Sequence, residues 1–348
     1  MPYRILWTCL LLVLSWAAAA AEPASGTTDV ERQVVVVNPA TDLWRAVRQR
    51  EGPVTGTTQA RNVSAGQLIN PRGQEWREFR RQYLIPIGGL VLAAAAGVVI
   101  LLFIFRPSIP FAGGPSNRWL ERFNVARRVG HWVMTLAMLI LAITGLILLF
   151  GRYGLLPWMS SDGFGTLAGL AKQSHDLTGP VFVAALLVFF FQFVARNLPA
   201  RGDLGWLLRL GGLFSKGHLP AGFFNAGEKV LFWLVVLFGG ALSASGLLLL
   251  LQNLEPSRFL QQAALLIHAI AAVGLTALVL GHIYMALSIR GALQGMLNGR
   301  VDANWAKEHH RRWFDEAEAQ GLVHQGSATG KPQPPAAPAA EPGVSGRA

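Results

Sequence analysis

The fold is decided by residues 267–286, which read IHAIAAVGLTALVLGHIYMA. The stretch contains no Asp, Glu, Lys or Arg, and as a helix it is long enough to cross a hydrocarbon layer of about 30 Å. It carries His268 and His282, fourteen residues apart. At about 100° per residue, this spacing leaves the two side chains about 40° out of phase and about 21 Å apart along the axis. The stretch therefore predicts a membrane helix that presents one histidine at each of two levels on the same face.

Four other apolar stretches accompany this one, and together the five predicted spans are 84–105, 131–150, 177–195, 230–251 and 264–289. Hydrophobic residues make up 52% of the 348 residues and charged residues 14%, against about 25% charged in ordinary soluble proteins. This composition excludes a typical soluble enzyme and a disordered protein, and the single cysteine, Cys9, excludes a disulfide scaffold. Backbone groups in lipid must bond within their own segment, so each span is helical. The sequence shows no strand-like alternation and predicts an all-α membrane protein.

The two ends of the chain differ from this hydrophobic middle. Residues 1–21 have a basic start, a short apolar run and a stretch of alanines, which is typical of a cleaved secretory signal. Residues 22–83 are polar and are expected to form an exported, periplasmic segment. Residues 316–348, rich in Pro, Ala and Gly towards their end, are expected to form a disordered cytoplasmic tail.

Charges in the loops set the predicted orientation. The chain has 30 Lys and Arg against 19 Asp and Glu, and in so hydrophobic a protein this excess indicates loops that face anionic lipid rather than nucleic acid. The cations concentrate before the second span, before the fourth span and at the start of the tail. Because basic loops stay in the cytoplasm, the pattern predicts a bacterial inner-membrane protein with a periplasmic mature N-terminus and a cytoplasmic C-terminus.

Four histidines lie in the predicted spans or at their mouths. His131 opens the second span on the cytoplasmic side, and His175 precedes the third span on the periplasmic side. The levels pair His131 with His282, and His175 with His268. Two such pairs can ligate two b-type haems, whose irons would then have no open site and would serve electron transfer. The alternative for any one of these histidines is a hydrogen bond between helices.

Two glycines are consistent with a flat cofactor between the helices. Gly145 lies fourteen residues after His131, on the same face but at the opposite level, and Gly246 lies near the periplasmic end of the fourth span. Both are candidates for haem packing. Close helix–helix packing is the alternative, since it also favours small residues.

Several motifs in order resemble the gamma subunit of respiratory formate dehydrogenase, which is the cytochrome b subunit of a membrane-bound molybdenum or tungsten enzyme. They are RFNVARRVGHWVMTLAMLILAITGLIL at 122–148, SHDLTGP at 174–180, FNAGEK at 224–229 and the opening stretch. The resemblance covers residues 118–315 and implies a four-helix haem-binding bundle. GQEWREFR and the tail WAKEHHRRWF are similar to the longer form of this subunit, which adds the 84–105 helix.

The resemblance implies a site and a role for several residues. The haem ligands fall on His131 and His282, and on His175 and His268. The family's quinone site falls on Asn225, Gly227 and His282, although Asn225 followed by Glu228 also has the form of a helix capping box. The cofactors implied are two haem b groups and a quinone, either ubiquinone or menaquinone.

The implied partners are a periplasmic iron–sulfur beta subunit and a catalytic alpha subunit that oxidises formate, so this chain would hold no formate chemistry itself. Two alternatives remain open from the sequence. One is the cytochrome b subunit of a membrane-bound hydrogenase or another molybdoenzyme. The other is a haem-free anchor or transporter whose histidines only form hydrogen bonds. His309 and His310, beside Arg311 and Arg312, are expected to lie on a solvated helix face.

Overall fold

The computed structural model describes residues 71–209, 220–251 and 256–328. The chain separates into two compact units, Met1–Glu78 and Phe79–Ala348. Of the first unit only residues 71–78 are described, and they belong to helix α1, Pro71–Phe79. The predicted signal and most of the predicted exported segment therefore lie outside the described residues.

Long apolar helices dominate the second unit. After a π-helical turn at Arg80–Leu84 come α2 (Ile85–Phe105), α3 (Val125–Gly154), α4 (Ser161–Phe193), the short α5 (Asp203–Leu208), α6 (Ala226–Leu250) and α7 (Arg258–Ser288). Apart from α5, these helices account for the five segments of the described chain that are long and apolar enough to cross a membrane. The five predicted spans and the helical fold class are confirmed, and four of the five helices begin before the predicted start of their span.

Polar side chains mark where the spanning helices begin. Asn124 accepts a hydrogen bond from the Arg127 N–H at 3.0 Å and caps α3. Ser160 and Ser257 cap α4 and α7 in the same way. Such caps satisfy N–H groups that have no partner within the helix, which matters most where a helix enters lipid.

The four long helices after α2, which are α3, α4, α6 and α7, form a bundle. In it α3 packs along α4, α6 packs along α7, and α4 packs against α6. Its centre is a cluster of buried apolar side chains that includes Ala137, Phe182, Leu186 and Leu275. These residues come from three helices and lie between the two predicted levels of histidines. The two levels of histidines are thereby separated by a layer of buried apolar side chains.

The additional helix α2 packs on α7. Gly88 of α2 faces the Val273 side chain, and the rings of Phe103 and Tyr284 meet edge to face at 5.1 Å. The Tyr284 hydroxyl donates a hydrogen bond to the carbonyl of Arg106 at 3.0 Å, just beyond the end of α2. The helix that carries two of the histidines is therefore supported along its length by α2.

A small antiparallel sheet closes one end of the bundle. Its strands are β1 (Arg118–Glu121), β2 (Arg300–Asp302) and β3 (His324–Gln325), in the order β2-β1-β3. The sequence predicted no strand, and that prediction is wrong. Strands of two to four residues are too short to show alternation. Leu120 of β1 and Val301 of β2 are buried opposite each other, which stabilises that pairing.

Three short helices complete this end: α8 (Gln294–Leu297), α9 (Ala303–His309) and α10 (Arg311–Ala319). We call these helices and the sheet the cap. The cap has its own core, which is built around Leu120, Val301, Trp305 and Phe314. The bundle end that touches the cap is the cap end, and the opposite end is the far end.

The cap corrects a second prediction. His310 was expected on a solvated helix face, but its side chain is only 1% exposed. The backbone of His310 leaves the helical region, with φ −139° and ψ 52°, so α9 ends and α10 begins around it. The described chain also continues to Ala328, past the predicted start of the tail at 316, while residues 329–348 lie outside the described residues.

Candidate haem and quinone sites

The bundle brings the four predicted histidines together as two pairs. His175 of α4 and His268 of α7 lie at the far end, with ring centroids 6.0 Å apart and ring planes 66° apart. His131 of α3 and His282 of α7 lie at the cap end, with centroids 6.4 Å apart and planes 61° apart. We call these the far-end pair and the cap-end pair.

The spacing of both pairs fits one metal atom between two imidazoles. A metal–imidazole bond is about 2 Å long and the half-width of each ring adds roughly 1 Å, so two such rings have centroids roughly 6 Å apart. Within the described residues, no group of three or more His, Cys, Asp or Glu could hold a bare metal ion. Each pair could thus supply two imidazole ligands to one metal atom, a donor set that suits an iron whose other ligands come from a porphyrin.

Hydroxyl groups fix the rings of the far-end pair. The Nδ1 atoms of His175 and His268 lie 2.9 Å from Thr144 Oγ1 and 3.0 Å from Ser245 Oγ, respectively. Both hydroxyls already donate to a carbonyl in the preceding turn, of Ile140 for Thr144 and of Ala241 for Ser245. The hydroxyl oxygen is therefore the acceptor and Nδ1–H is the donor. This arrangement assigns the proton to Nδ1 and leaves Nε2 of each ring available as a metal ligand.

A glycine follows each of these hydroxyl residues and lies against the same ring. A Cβ on Gly145 would come 3.4 Å from His175 Cε1, and a Cβ on Gly246 would come 3.1 Å from His268 Cε1. Both predicted glycines thus give an imidazole room at the far-end level. The Thr-Gly and Ser-Gly dipeptides repeat one arrangement on α3 and α6, and this repetition is the signal in the sequence from which the two hydroxyls could have been found.

Among the described residues, the His131 ring of the cap-end pair has no matching hydroxyl. His131 Nδ1 is buried and has no hydrogen-bond partner among the described residues. The nearby Thr135 hydroxyl donates to the backbone carbonyl of His131 at 2.8 Å, not to the ring. The His131 ring instead meets Trp132 edge to face at 5.3 Å, and the Trp132 indole N–H donates to the Met296 carbonyl in the cap. Support at this end therefore comes from the cap.

The predicted quinone residues lie at the start of α6. Asn225 forms the capping box: its side chain accepts from the Glu228 N–H at 2.9 Å, and Glu228 Oε2 accepts from the Asn225 N–H at 2.9 Å. A Cβ on Gly227 would lie 3.1 Å from the Trp206 ring of α5, so the absence of a side chain lets that ring approach. Both residues thus have a structural role. Of the Asn225 side chain, the oxygen is used by the capping box and the NH₂ group is not.

A charged network adjoins this helix start. Arg122 is 5% exposed and donates to Glu228 Oε1 at 2.8 Å. The Glu228 carboxylate also lies within range of a Coulombic interaction with His282. This network could not be predicted from the sequence, because Arg122 precedes α3 and Glu228 lies 106 residues further on.

Known proteins match this histidine-bearing bundle. A family model described as prokaryotic cytochrome b561 matches residues 122–299, which contain all four histidines and span half of the chain. The chain belongs to the prokaryotic cytochrome b561 family. Haem b, a multi-pass membrane location and a part in electron transport follow from this membership.

Individual relatives in this family agree with the resemblance drawn from the motifs. The chain is 30% identical over 200 residues to the cytochrome b556(fdo) subunit of formate dehydrogenase from Escherichia coli K12, covering 57% of this chain and 92% of the relative. It is 30% identical over 210 residues to the cytochrome b556(Fdn) subunit of the nitrate-inducible formate dehydrogenase of the same strain, covering 58% and 94%. A Haemophilus influenzae formate dehydrogenase cytochrome b556 subunit is 28% identical over 200 residues, covering 56% and 82%. The resemblance to the cytochrome b subunit of formate dehydrogenase is confirmed.

Proposed function

We propose that this cytochrome b561 family member is the di-haem membrane anchor of a formate dehydrogenase and carries electrons from a periplasmic iron–sulfur subunit to quinone. The observation that carries the proposal is the pair of histidine couples, one at each end of the bundle, with ring centroids 6.0 and 6.4 Å apart. Family membership implies haem b, which favours this reading over a haem-free anchor or transporter.

The chain's own residues would hold each haem and keep water out. His175 and His268 would hold one iron, and His131 and His282 the other. A haem held by two imidazoles in this way would supply one-electron transfer and not oxygen chemistry. The layer of Ala137, Phe182, Leu186 and Leu275 between the pairs excludes water from the middle of the bundle.

Quinone would bind at the cap end, near Asn225, Gly227 and His282. Because the Asn225 oxygen is held by the Glu228 N–H, the Asn225 NH₂ is the group that can donate to a quinone carbonyl. Glu228 lies within electrostatic range of His282, which supports a shared site for the start of α6 and the cap-end pair. The quinone, ubiquinone or menaquinone, would take two electrons and two protons to become the quinol.

Orientation follows from the charges and supports the assignment of partners. The loops at the cap end carry most of the basic residues, which supports a cytoplasmic cap in a bacterial inner membrane, with the far-end pair on the periplasmic side. Electrons would then enter at the far end from the iron–sulfur beta subunit, next to a molybdenum or tungsten alpha subunit. Protons for the quinone would come from the cytoplasm, so that formate oxidation would build a membrane potential.

A spectrum and a haem assay of the purified full chain test this function. We expect b-type bands on reduction with dithionite and two haems per chain. A chain that purifies folded but without haem would contradict the di-haem proposal. Purification from the native membrane tests the partners, since a formate-oxidising subunit should accompany the chain; a co-purifying hydrogenase would instead establish the other assignment.

A further inference from the structure

The loop that leads into α6 is held from the side of the cap. His310 Nδ1 lies 2.9 Å from the Gly222 carbonyl, and the Arg312 N–H donates to the Ala221 carbonyl at 3.0 Å. The rings of Phe223 and Trp313 meet edge to face at 5.2 Å. Three successive residues of the loop, at 221–223, thus contact the junction between α9 and α10.

The buried guanidinium of Arg122 also contacts this loop, from the side opposite the cap contacts. Arg122 donates to the Phe223 carbonyl at 3.4 Å as well as to Glu228, and its guanidinium lies 4.8 Å from the centroid of the Trp305 ring. Three phenylalanine rings surround it further: Phe123, Phe223 and Phe224. A buried cation needs both an anion and such ring faces to offset the water it has lost, so Arg122 and Glu228 depend on each other.

His310 completes this arrangement as a neutral side chain. Its Nε2 lies 3.8 Å from Glu228 Oε2, the oxygen that accepts from the Asn225 N–H. Burial, together with the nearby Arg122 guanidinium, lowers the pKa of His310 to about 3. The ring therefore carries one proton at neutral pH, and the carbonyl of Gly222 places that proton on Nδ1.

We propose that His310 is a positioning residue of the quinone site, and that its Nδ1–H bond to the Gly222 carbonyl fixes the loop that presents Asn225. This inference rests on the proposed function, because it concerns quinone bound at the start of α6. The matched family segment ends at residue 299, so the proposal assigns a role to a part of the chain that the family match does not reach.

The test compares two substitutions of equal shape. His310→Asn keeps an N–H donor near the position of Nδ1, and His310→Leu has the same branching without a donor. The full chain in membranes is reduced with stoichiometric dithionite, and reoxidation of its haem is followed over a range of decylubiquinone or menadione concentrations. We expect His310→Leu to raise the half-saturating quinone concentration by about tenfold or more, because small displacements of a positioned group have large effects. His310→Asn should restore most of the wild-type value.

Haem content and a control variant distinguish a role in quinone binding from a general role in the stability of the bundle. Arg311→Ala is the matched control, since Arg311 is next in the chain, half exposed, and paired with Asp315 within α10. Equal half-saturation in His310→Leu and wild type would overturn the positioning role, as would loss of haem from both His310 variants, which would show that the residue serves the whole bundle. If the wild-type haem itself is not reoxidised by either quinone, the proposed function fails, and the His310 proposal fails with it.

Discussion

The far-end and cap-end pairs each consist of two histidine side chains but are held in different ways. At the far end, a hydroxyl accepts from each Nδ1–H and a glycine lies against each Cε1. At the cap end, His131 Nδ1 has no partner among the described residues, and the neighbouring Trp132 is tied to the cap. The far-end rings are thus set by the spanning helices themselves, whereas the His131 ring of the cap-end pair is supported through the cap. The two pairs therefore differ in the residues that surround the imidazoles and not in the imidazoles themselves.

The largest effect should come from removing a ligand on α7, which serves both pairs. His268→Ala and His282→Ala should each lower haem from two per chain to one, because one remaining imidazole cannot complete the pair. Haem is measured against protein in the purified chain, with His324→Ala of β3 as the control outside the bundle. If either α7 variant keeps both haems or loses both, the two pairs are not two independent haem sites.

A smaller effect should follow from filling the space beside the far-end rings. Gly246→Ala places a methyl group 3.1 Å from His268 Cε1, closer than the 3.4 Å between Gly145→Ala and His175. We expect Gly246→Ala to lower far-end haem occupancy more than Gly145→Ala, with a loss in haem affinity of about tenfold at most. Gly240→Ala on the same helix is the control, because its Cβ would meet nothing within 4 Å. Equal occupancy in all three variants would contradict the close approach.

The hydroxyl bonds should affect electronic properties more than occupancy. An acceptor for Nδ1–H makes the imidazole a stronger donor to the metal and favours the oxidised iron. Thr144→Val and Ser245→Ala should therefore raise the midpoint potential of the far-end haem, by an amount corresponding to about 1 kcal/mol, the value of one hydrogen bond. The cap-end potential should not change.

A redox titration of the reduced bands measures both potentials in the same sample. Thr135→Val is the matched control for Thr144, since its hydroxyl bonds a backbone carbonyl and no ring. Ser243→Ala is the control for Ser245, because the Ser243 hydroxyl is buried on the same helix without a hydrogen-bond partner in the described chain. A shift of equal size in the controls would show that the hydroxyls act on the helices and not on the rings.

The smallest effect should be the response of the cap end to acid. The pKa of His310 is lowered from 6.5 to about 3, so an opened cap binds a proton that the closed cap excludes. Stability from this group is complete above about pH 6.5 and declines as the pH falls, by about 0.7 kcal/mol between pH 7 and pH 6. The charged and titratable groups near the ring are Arg122, Glu228 and His309. Proteolysis of the cap in membranes should accelerate over this range, and less so in His310→Asn; identical pH profiles would exclude His310 as the cause.

The sequence predicts the bundle well because its determinants are local. Length and lack of charge define the spans, and a spacing of fourteen places His268 and His282 on one face whatever surrounds them. The hydroxyls were missed because Thr144 and Ser245 each bond a carbonyl in their own helix and look like ordinary polar helix residues. The burial of His310 could not be read locally, since its partner Gly222 lies 88 residues away.

The single helix α7 carries one histidine of each pair and is supported by α2. Under the proposed function, this arrangement has a consequence for the rate of electron exchange. Tunnelling between two centres falls steeply with their separation. For the two haems proposed above, that separation would follow from fourteen residues of one continuous hydrogen-bonded helix, about 21 Å of axial rise, and not from the looser packing between neighbouring helices. Changes in bilayer thickness or in helix tilt would reorient the rings but would leave this distance almost constant, so the electron-transfer distance of the proposed function would be set within a single helix.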